Sequence, residues 1–352
     1  GIVTATVPAT VDRAVPTIAF CSHLDTSPET SGANVQPRVI ENYAGGDITL
    51  PGDLEKVIRE AECPALKEVV GSTLITSDGT TLLGADDKAG VAEIISGLKY
   101  LQLHPEIKRS DIFIAFTPDE EIGKGTKYFD TKIFKPEYAY TFDGSGMGYY
   151  EEENFNAVNG HVIFHGFNTH PGTAFGKMVN SVRASAFFVN RLEKRFTPEG
   201  TKGRDGFIHF DSLSGNVNNV QVNFVIRDFS KMGVQRFKND MTSMKNETEK
   251  KFPGIRIEIK FIDAYENMKL IIDSKSDVRS RIQKAAVRAD IDLKHSAIRG
   301  GTDGAQLSFM GIPTPNIFTG GYNFHSKYEF AVLEEMEAAV ELMIEIAGGG
   351  IE

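Results

Sequence analysis

The run Asp111 to Phe116 (DIFIAF) leads straight into Thr117-Pro118-Asp119-Glu120-Glu121-Ile122-Gly123-Lys124-Gly125. The first part reads as a buried strand. The second places three consecutive carboxylates at the end of that strand, followed by a glycine-rich turn. Like charges crowded at a strand end repel one another unless something cationic sits among them. Standing alone, such a cluster reads more simply as a solvated acidic turn. It does not stand alone. Three other strand-like runs end in His23-Leu24-Asp25, Asp86-Asp87-Lys88 and Asp143-Gly144, and a late segment ends in His325.

The rest of the chain supplies a frame for these ends. Ile2 to Val7 and Val15 to Cys21 read as strands. Residues 27–70 are rich in Pro, Gly and Asn and predict a long irregular excursion, with at most one short helix near Leu54 to Ala61. Leu74 to Thr76 and Thr81 to Leu83 flank Ser77-Asp78-Gly79-Thr80, a hairpin-type turn. After Gly84-Ala85-Asp86-Asp87-Lys88-Ala89-Gly90, apolar residues at Val91, Ile94, Ile95, Leu98 and Leu101 follow helical spacing, which puts the acidic pair at a helix amino terminus. Glu137 to Phe142 reads as a further strand. Strands alternating with helices in this way argue for an α/β sandwich.

The texture changes after Glu153. Strand-like segments at Ala157 to Phe164, Asn218 to Arg227 and Ile255 to Ile262 are interleaved with helical ones at Lys177 to Phe196 and Lys231 to Lys251. This predicts a small insert, a sheet with helices on one face. Asp273 to Asp290 then reads as a helix, Asn316 to Phe318 as a short buried strand and Ala331 to Ala347 as an amphipathic helix. The last stretch returns to the first domain. The expected division is 1–153 and 265–352 for an α/β domain and 154–264 for an inserted α+β domain.

Composition narrows the partners. With a net charge of -10 and no basic block, the chain is a poor candidate for nucleic acid or an anionic membrane surface. No apolar run reaches transmembrane length, and Gly1 to Thr10 lacks the pattern of a signal peptide. Two cysteines, Cys21 and Cys63, are too few for a disulfide framework, and they fit a reducing cytoplasm. Cys21 reads as a packed core thiol.

Nitrogen and oxygen ligands of this kind suit zinc in a catalytic site. His23, Asp86, Glu121, Asp143 and His325 supply two imidazoles and three carboxylates, all at expected strand ends or adjoining loops. In an open α/β sheet those ends form the ligand crevice. Five such ligands accommodate two metal ions if one carboxylate bridges.

The stretches His23-Leu24-Asp25, Gly84 to Lys88, Asp119 to Gly123 and Ile298-Arg299-Gly300-Gly301-Thr302-Asp303-Gly304 resemble the co-catalytic zinc aminopeptidase/carboxypeptidase family, which includes carboxypeptidase G and succinyl-diaminopimelate desuccinylase. Within it, Thr80 to Gly90, Ala115 to Gly125, Ile226 to Phe229, Ile298 to Gly311 and Phe318 to Phe330 are most similar to the members that act on tripeptides. The likeness covers essentially the whole chain, although the family has a mostly helical segment ahead of its first strand that this sequence does not show.

The resemblance implies a zinc-peptidase α/β catalytic domain with a mixed sheet and an inserted α+β domain of lid or dimerisation type. It implies two Zn²⁺ per chain: His23 and Asp143 as terminal ligands of one, Glu121 and His325 of the other, and Asp86 as the bridging carboxylate, with a cis peptide to Asp87. Asp25 would orient the His23 ring, and Glu120 would be the general base. Arg227 and Arg299 would read the substrate carboxylate, one from the insert and one from the catalytic domain. His170 would reach the reaction centre from the insert, in some members from a partner chain, so a homodimer is compatible with this reading. The implied activity is release of the amino-terminal residue of tripeptides. A carboxypeptidase or deacylase on the same scaffold, and a catalytically silent peptide-binding homologue, are the alternatives. The retained Glu120 speaks against the second.

Overall fold

The computed structural model describes residues 1–12 and 15–349. They form two compact units, one of residues 1–12, 15–153, 268–297 and 302–349, the other of residues 154–267 and 298–301.

The first unit is built on a seven-stranded sheet in the order Val3–Val7, Ile112–Thr117, Ile18–His23, Tyr138–Gly144, Asn316–Phe318, Tyr149–Asn154, Lys294–Ile298. Four neighbours, Ile112–Thr117, Ile18–His23, Tyr138–Gly144 and Asn316–Phe318, run parallel. Val3–Val7 joins antiparallel at one side, and Tyr149–Asn154 pairs antiparallel with Asn316–Phe318. The sheet is therefore mixed. Its parallel core gathers the carboxyl ends of its strands along one edge.

Both faces of that core are dry, which explains the near-continuous apolar runs of its strands. On one face Ile18, Phe20, Ile114, Tyr140 and Phe142 pack against three helices: Ala85–Leu103 through Ile94 and Leu101, Ser276–Arg288 through Val278 and Ile282, and Leu333–Gly348 through Leu342, Met343 and Ile346. Full burial of side chains this size contributes about 1.5–3 kcal/mol each. On the other face lie Ala19, Cys21, Ala115, Ala139, Phe134 and Leu307. Cys21 is fully inside, and burial pushes its thiol pKa well up, as befits a core residue. Gly90 lets the first helix sit against the main-chain carbonyl of Phe142, where a Cβ would collide.

One local expectation fails here, the hairpin that starts at Leu74. At most one short helix was expected near Leu54 to Ala61, and none forms there. β-branched Val57–Ile58 pairs with Ile48–Thr49 as a two-stranded ribbon, and the only helical turn nearby is Pro64–Lys67. The expected hairpin partner of Leu74–Thr76 is not a strand either. Ser77 Oγ donates to the Thr81 carbonyl at 2.7 Å and closes the turn. Leu74–Thr76 instead pairs antiparallel with Phe330–Val332 and with Arg38–Ile40. These pairings fold the irregular excursion onto a core of its own, with Tyr43, Leu50, Ile58, Leu66, Leu74, Phe330 and Val332.

The second unit is a four-stranded antiparallel sheet in the order Phe207–Gly215, Asn219–Asp228, Asn156–His165, Arg256–Tyr265. Alternate residues Val220, Val222, Phe224 and Ile226 point inward with period two. They pack with Ala184 and Phe188 of helix Ser181–Val189 and with Val234, Phe237 and Met241 of helix Lys231–Lys251. The first of these helices is shorter than Lys177 to Phe196. Asn180 accepts from the Arg183 N–H at 3.1 Å and sets its start.

Candidate active site

The gathered strand ends carry the chemistry. His23 is the last residue of its strand, and Asp143 is next to last in its own. After strand Ile112–Thr117 the chain turns at Asp119, which has φ +61°, and enters the single helical turn Glu120–Ile122. Asp86 lies at the start of helix Ala85–Leu103, where the Asp86–Asp87 peptide is cis. His325 sits in the loop before strand Phe330–Val332, also in the left-handed region at φ +62°, with Thr30 Oγ1 donating to its carbonyl at 2.9 Å.

These residues form two groups that share Asp86: His23, Asp86 and Asp143, and Asp86, Glu121 and His325, with the ligand atoms of each group within 4.8 Å of one another. His23 Nε2 is 2.9 Å from Asp86 Oδ1 and 3.6 Å from Asp143 Oδ1. His325 Nε2 is 3.1 Å from Asp86 Oδ2 and 3.0 Å from Glu121 Oε2. Each oxygen of Asp86 thus faces a different histidine, the arrangement a bridging carboxylate needs. His23 Nδ1 faces Asp25, 3.4 Å from Oδ1 and 3.1 Å from its main-chain oxygen, which leaves Nε2 for the centre.

The surrounding groups hold the geometry. Asp25 Oδ1 and Oδ2 accept the N–H groups of Glu120 and Glu121, both at 3.1 Å. Asp87 Oδ2 accepts from the His23 N–H at 3.0 Å and from Ser22 Oγ at 2.5 Å. The Asp303 N–H donates to Glu120 Oε1 at 3.1 Å. Asp87 and Asp303 carry no role in the sequence reading. Asp303 does lie in the glycine-rich stretch singled out there, and Asp87 beside a ligand, so position in a motif was the available signal.

The electrostatics describe a centre made for cations. Burial alone would raise Asp86, but its bonds to His23 and His325 outweigh this and bring it to about 2. Burial works against charge on His23, yet Asp143, Asp25 and Asp86 drive its pKa far up. Contacts with Asp86 and Glu121 lift His325 to about 10. Burial, reinforced by Asp143, takes Glu120 to about 9, and burial takes Asp143 to about 6. Without a metal ion, protons on the two imidazoles supply the positive charge the carboxylates demand. Among the described residues, Glu121 Oε1 is buried with no hydrogen-bond partner. A donor set of imidazole and carboxylate, an orphaned buried oxygen and two groups sharing one carboxylate all fit two divalent ions.

Arg227, Arg299 and His170 belong to the second unit. Arg299 was expected from the catalytic domain. Its guanidinium instead donates to the carbonyls of Gly203 at 2.7 Å and Asp205 at 3.1 Å and to Thr201 Oγ1 at 3.1 Å, and it lies over the Phe155 and Phe207 rings. Those contacts bind the short segment 298–301 to that unit. Arg227 Nη1 donates to the Arg299 carbonyl at 3.4 Å, and its guanidinium lies over Tyr265. His170 is exposed, with Nδ1 accepting from the Gly172 N–H at 3.1 Å.

Residues 77–348 match the model of peptidase family M20/M25/M40. Peptidase T of Caldanaerobacter subterraneus subsp. tengcongensis is 46% identical over 346 residues, covering 98% of this chain and 85% of that protein. Peptidase T of Listeria monocytogenes serotype 4a is 47% identical over 347 residues, covering 99% and 85%. Among solved structures, aminopeptidase PepT of Bacillus cereus superposes with a TM-score of 0.78 at 24% identity, over 100% of this chain and 85% of that one. A dinuclear metal-binding peptidase of the M20 family from Bacillus subtilis follows at 0.65 and 14%, over 99% and 86%.

Proposed function

The chain belongs to peptidase family M20/M25/M40 and is a peptidase, and on that premise we propose that it is a two-zinc aminopeptidase that releases the amino-terminal residue of tripeptides. The observation that carries this reading is Asp86, shared between His23 and Asp143 on one side and Glu121 and His325 on the other. Bound zinc supplies a Lewis acid for the scissile carbonyl and lowers the pKa of water toward about 7.

The chain's own residues do the rest. Glu120 is adjacent to the ligand Glu121, and its Oε1 is held by the Asp303 N–H. Cations held among the neighbouring carboxylates would oppose the rise in its pKa and leave it ionised, and its Oε2 is then the atom that takes a proton from the attacking water and later gives it to the leaving amine nitrogen. Asp25 keeps the turn bearing both glutamates in place and the His23 ring aimed. Arg227 and Arg299 recognise the substrate carboxylate and His170 assists at the reaction centre. Two features support cytoplasmic peptide turnover. Both cysteines are free, and among the described residues no helix is long and apolar enough to cross a membrane.

The test is metal content and turnover together. Protein reconstituted with zinc should bind about two ions and release the first residue of a free tripeptide. It should act poorly on an amino-terminally acylated peptide. Preference for the acylated substrate would point to a deacylase. Two bound ions with no hydrolysis of any peptide would point to a binding protein.

A further inference from the structure

Glu329 is 1% exposed, and no cationic side chain pairs with it among the described residues. Its carboxylate is spent on main chain. Oε2 accepts the N–H groups of Leu83 at 2.8 Å and Gly84 at 2.7 Å, and Oε1 accepts that of Asp86 at 3.0 Å. Three backbone donors on one carboxylate offset the cost of burying its charge. They also fix the segment from which the shared ligand Asp86 projects.

The other end of this grip is a ligand too. Glu329 stands four residues after His325, in a loop that is tied to itself. Asn323 Nδ2 donates to the Tyr328 carbonyl at 3.2 Å, Ser326 Oγ to the Asn323 carbonyl at 2.6 Å, and the Tyr328 N–H to Ser326 Oγ at 3.1 Å. The Glu329 N–H donates to the Ser326 carbonyl at 3.3 Å. These bonds tie the residues on either side of His325 together, so what holds Glu329 bears on the position of His325.

We propose that Glu329 is a positioning residue that sets the spacing between Asp86 and His325, and with it the affinity of the ion held by Asp86, Glu121 and His325. The inference rests on the two-ion reading above. It predicts selectivity. The His23, Asp86 and Asp143 group shares only Asp86 with this grip, and Asp87 and Asp25 brace it independently through the His23 main chain and ring. A plain helix cap would also satisfy the N–H groups at the start of Ala85–Leu103, but its loss would lower helix stability without choosing between two ions.

The experiment measures zinc dissociation constants by chelator competition in the parent, in Glu329→Gln, and in both after His325→Ala. The step abolished by His325→Ala identifies the ion in question. Glu329→Gln should weaken that step by about 10–100-fold, the usual effect of losing a group that orients a ligand. The step that survives His325→Ala should change by no more than about twofold, the scatter of independent sites. Equal loss at both steps, or loss at neither, overturns the proposal. Melting of the metal-free proteins guards against misreading. If Glu329→Gln does not fold, Glu329→Asp keeps the charge but is too short to hold both loops, and it should give the same selective loss. If both unfold without metal, Glu329 is a fold stabiliser and the proposal fails. A parent that binds fewer than two ions overturns the two-ion reading, and this inference with it. A parent that binds two ions, both untouched by Glu329→Gln, overturns this inference alone.

Discussion

The Asp25 carboxylate holds the main chain of Glu120, its Oδ1 accepting that N–H at 3.1 Å, while its Oδ2 takes the N–H of Glu121 and the residue faces the His23 ring from behind. One side chain thus braces the proposed base and a proposed ligand to each ion. Asp25→Asn keeps the shape but turns an acceptor into an NH₂ group that opposes an N–H. We expect zinc affinity to fall about 10–100-fold, with kcat reduced even at saturating zinc because Glu120 is no longer fixed. Titration with zinc followed by turnover at saturation checks this. Parent-like values in both would remove Asp25 from the mechanism.

Glu120 and Asp86 should separate chemistry from metal binding. Glu120→Ala is expected to keep about two ions and lose turnover by about 10²–10⁴-fold, the usual contribution of a general base. Asp86→Ala removes the carboxylate common to both groups and should lose metal as well as activity. Elemental analysis beside kcat decides. A Glu120→Ala enzyme as fast as the parent would mean that another group takes the proton.

Zinc uptake should strengthen as pH rises. In the metal-free protein the surrounding carboxylates raise the pKa of both His23 and His325, the latter to about 10. An imidazole must lose its proton to bind metal, so each ion displaces a proton and binding opposes acid. The sign for the metal-free fold is the reverse. Raised histidine pKa values add stability below the unfolded value near 6.5, and that stability fades as pH climbs through the folded values. Calorimetry in two buffers of different ionisation enthalpy counts the protons. Zinc affinity independent of pH between 6 and about 9 would contradict the assignment of these imidazoles as ligands.

Gly90→Ala should destabilise the protein despite better helix propensity. Alanine gains about 1 kcal/mol over glycine inside a helix. Here its Cβ would meet the Phe142 carbonyl and come within 2.6 Å of Asp87 Oδ1. Forcing atoms into a packed core costs about 1–3 kcal/mol, and the obstacle is main chain, which yields least. Phe142 precedes Asp143, so the displacement reaches a proposed ligand. A lower melting temperature and weaker zinc binding are the expected outcome. A melting temperature equal to or above the parent's would show that the helix moves away freely.

Arg227 and Arg299 should act on the carboxylate of the substrate. Replacing either with Ala should raise KM for a free tripeptide and change turnover of the corresponding tripeptide amide far less. Arg299 already donates to three acceptors, so its loss should also lower the melting temperature, whereas Arg227→Ala should leave stability closer to the parent's. Equal kinetic losses on acid and amide would show that these arginines do not read the carboxylate.

The convergence of the proposed ligands was legible because a parallel sheet brings the carboxyl ends of its strands together, so apolar runs ending in His23, Glu121 and Asp143 pointed to one place before any distance was known. Periodicity also found helix Lys231–Lys251 to its ends. What escaped depended on distant partners. Nothing local in Leu74–Thr76 shows that its neighbours are Phe330–Val332 and Arg38–Ile40 rather than the next short apolar run. Strand Phe207–Gly215 was hidden because its exposed outer half reads as polar loop. The grip of Glu329 on Asp86 spans 243 positions and leaves no trace in spacing.

The two halves of the centre close over very different lengths of chain. His23 meets Asp86 across 63 positions, and His325 meets the same Asp86 across 239. Loop-closure entropy grows as (3/2)RT ln n, so the longer closure costs about 1 kcal/mol more. Order of synthesis runs the same way. Every member of the His23 group exists once residue 143 has been made, while the other group waits for His325. The members of the centre therefore become available in sequence during synthesis. The early strands bring His23, Asp86 and Asp143 within reach of one another, and the late pairing of Phe330–Val332 with Leu74–Thr76 delivers the last imidazole. The half-site proposed to depend on Glu329 is the one whose residues are made last.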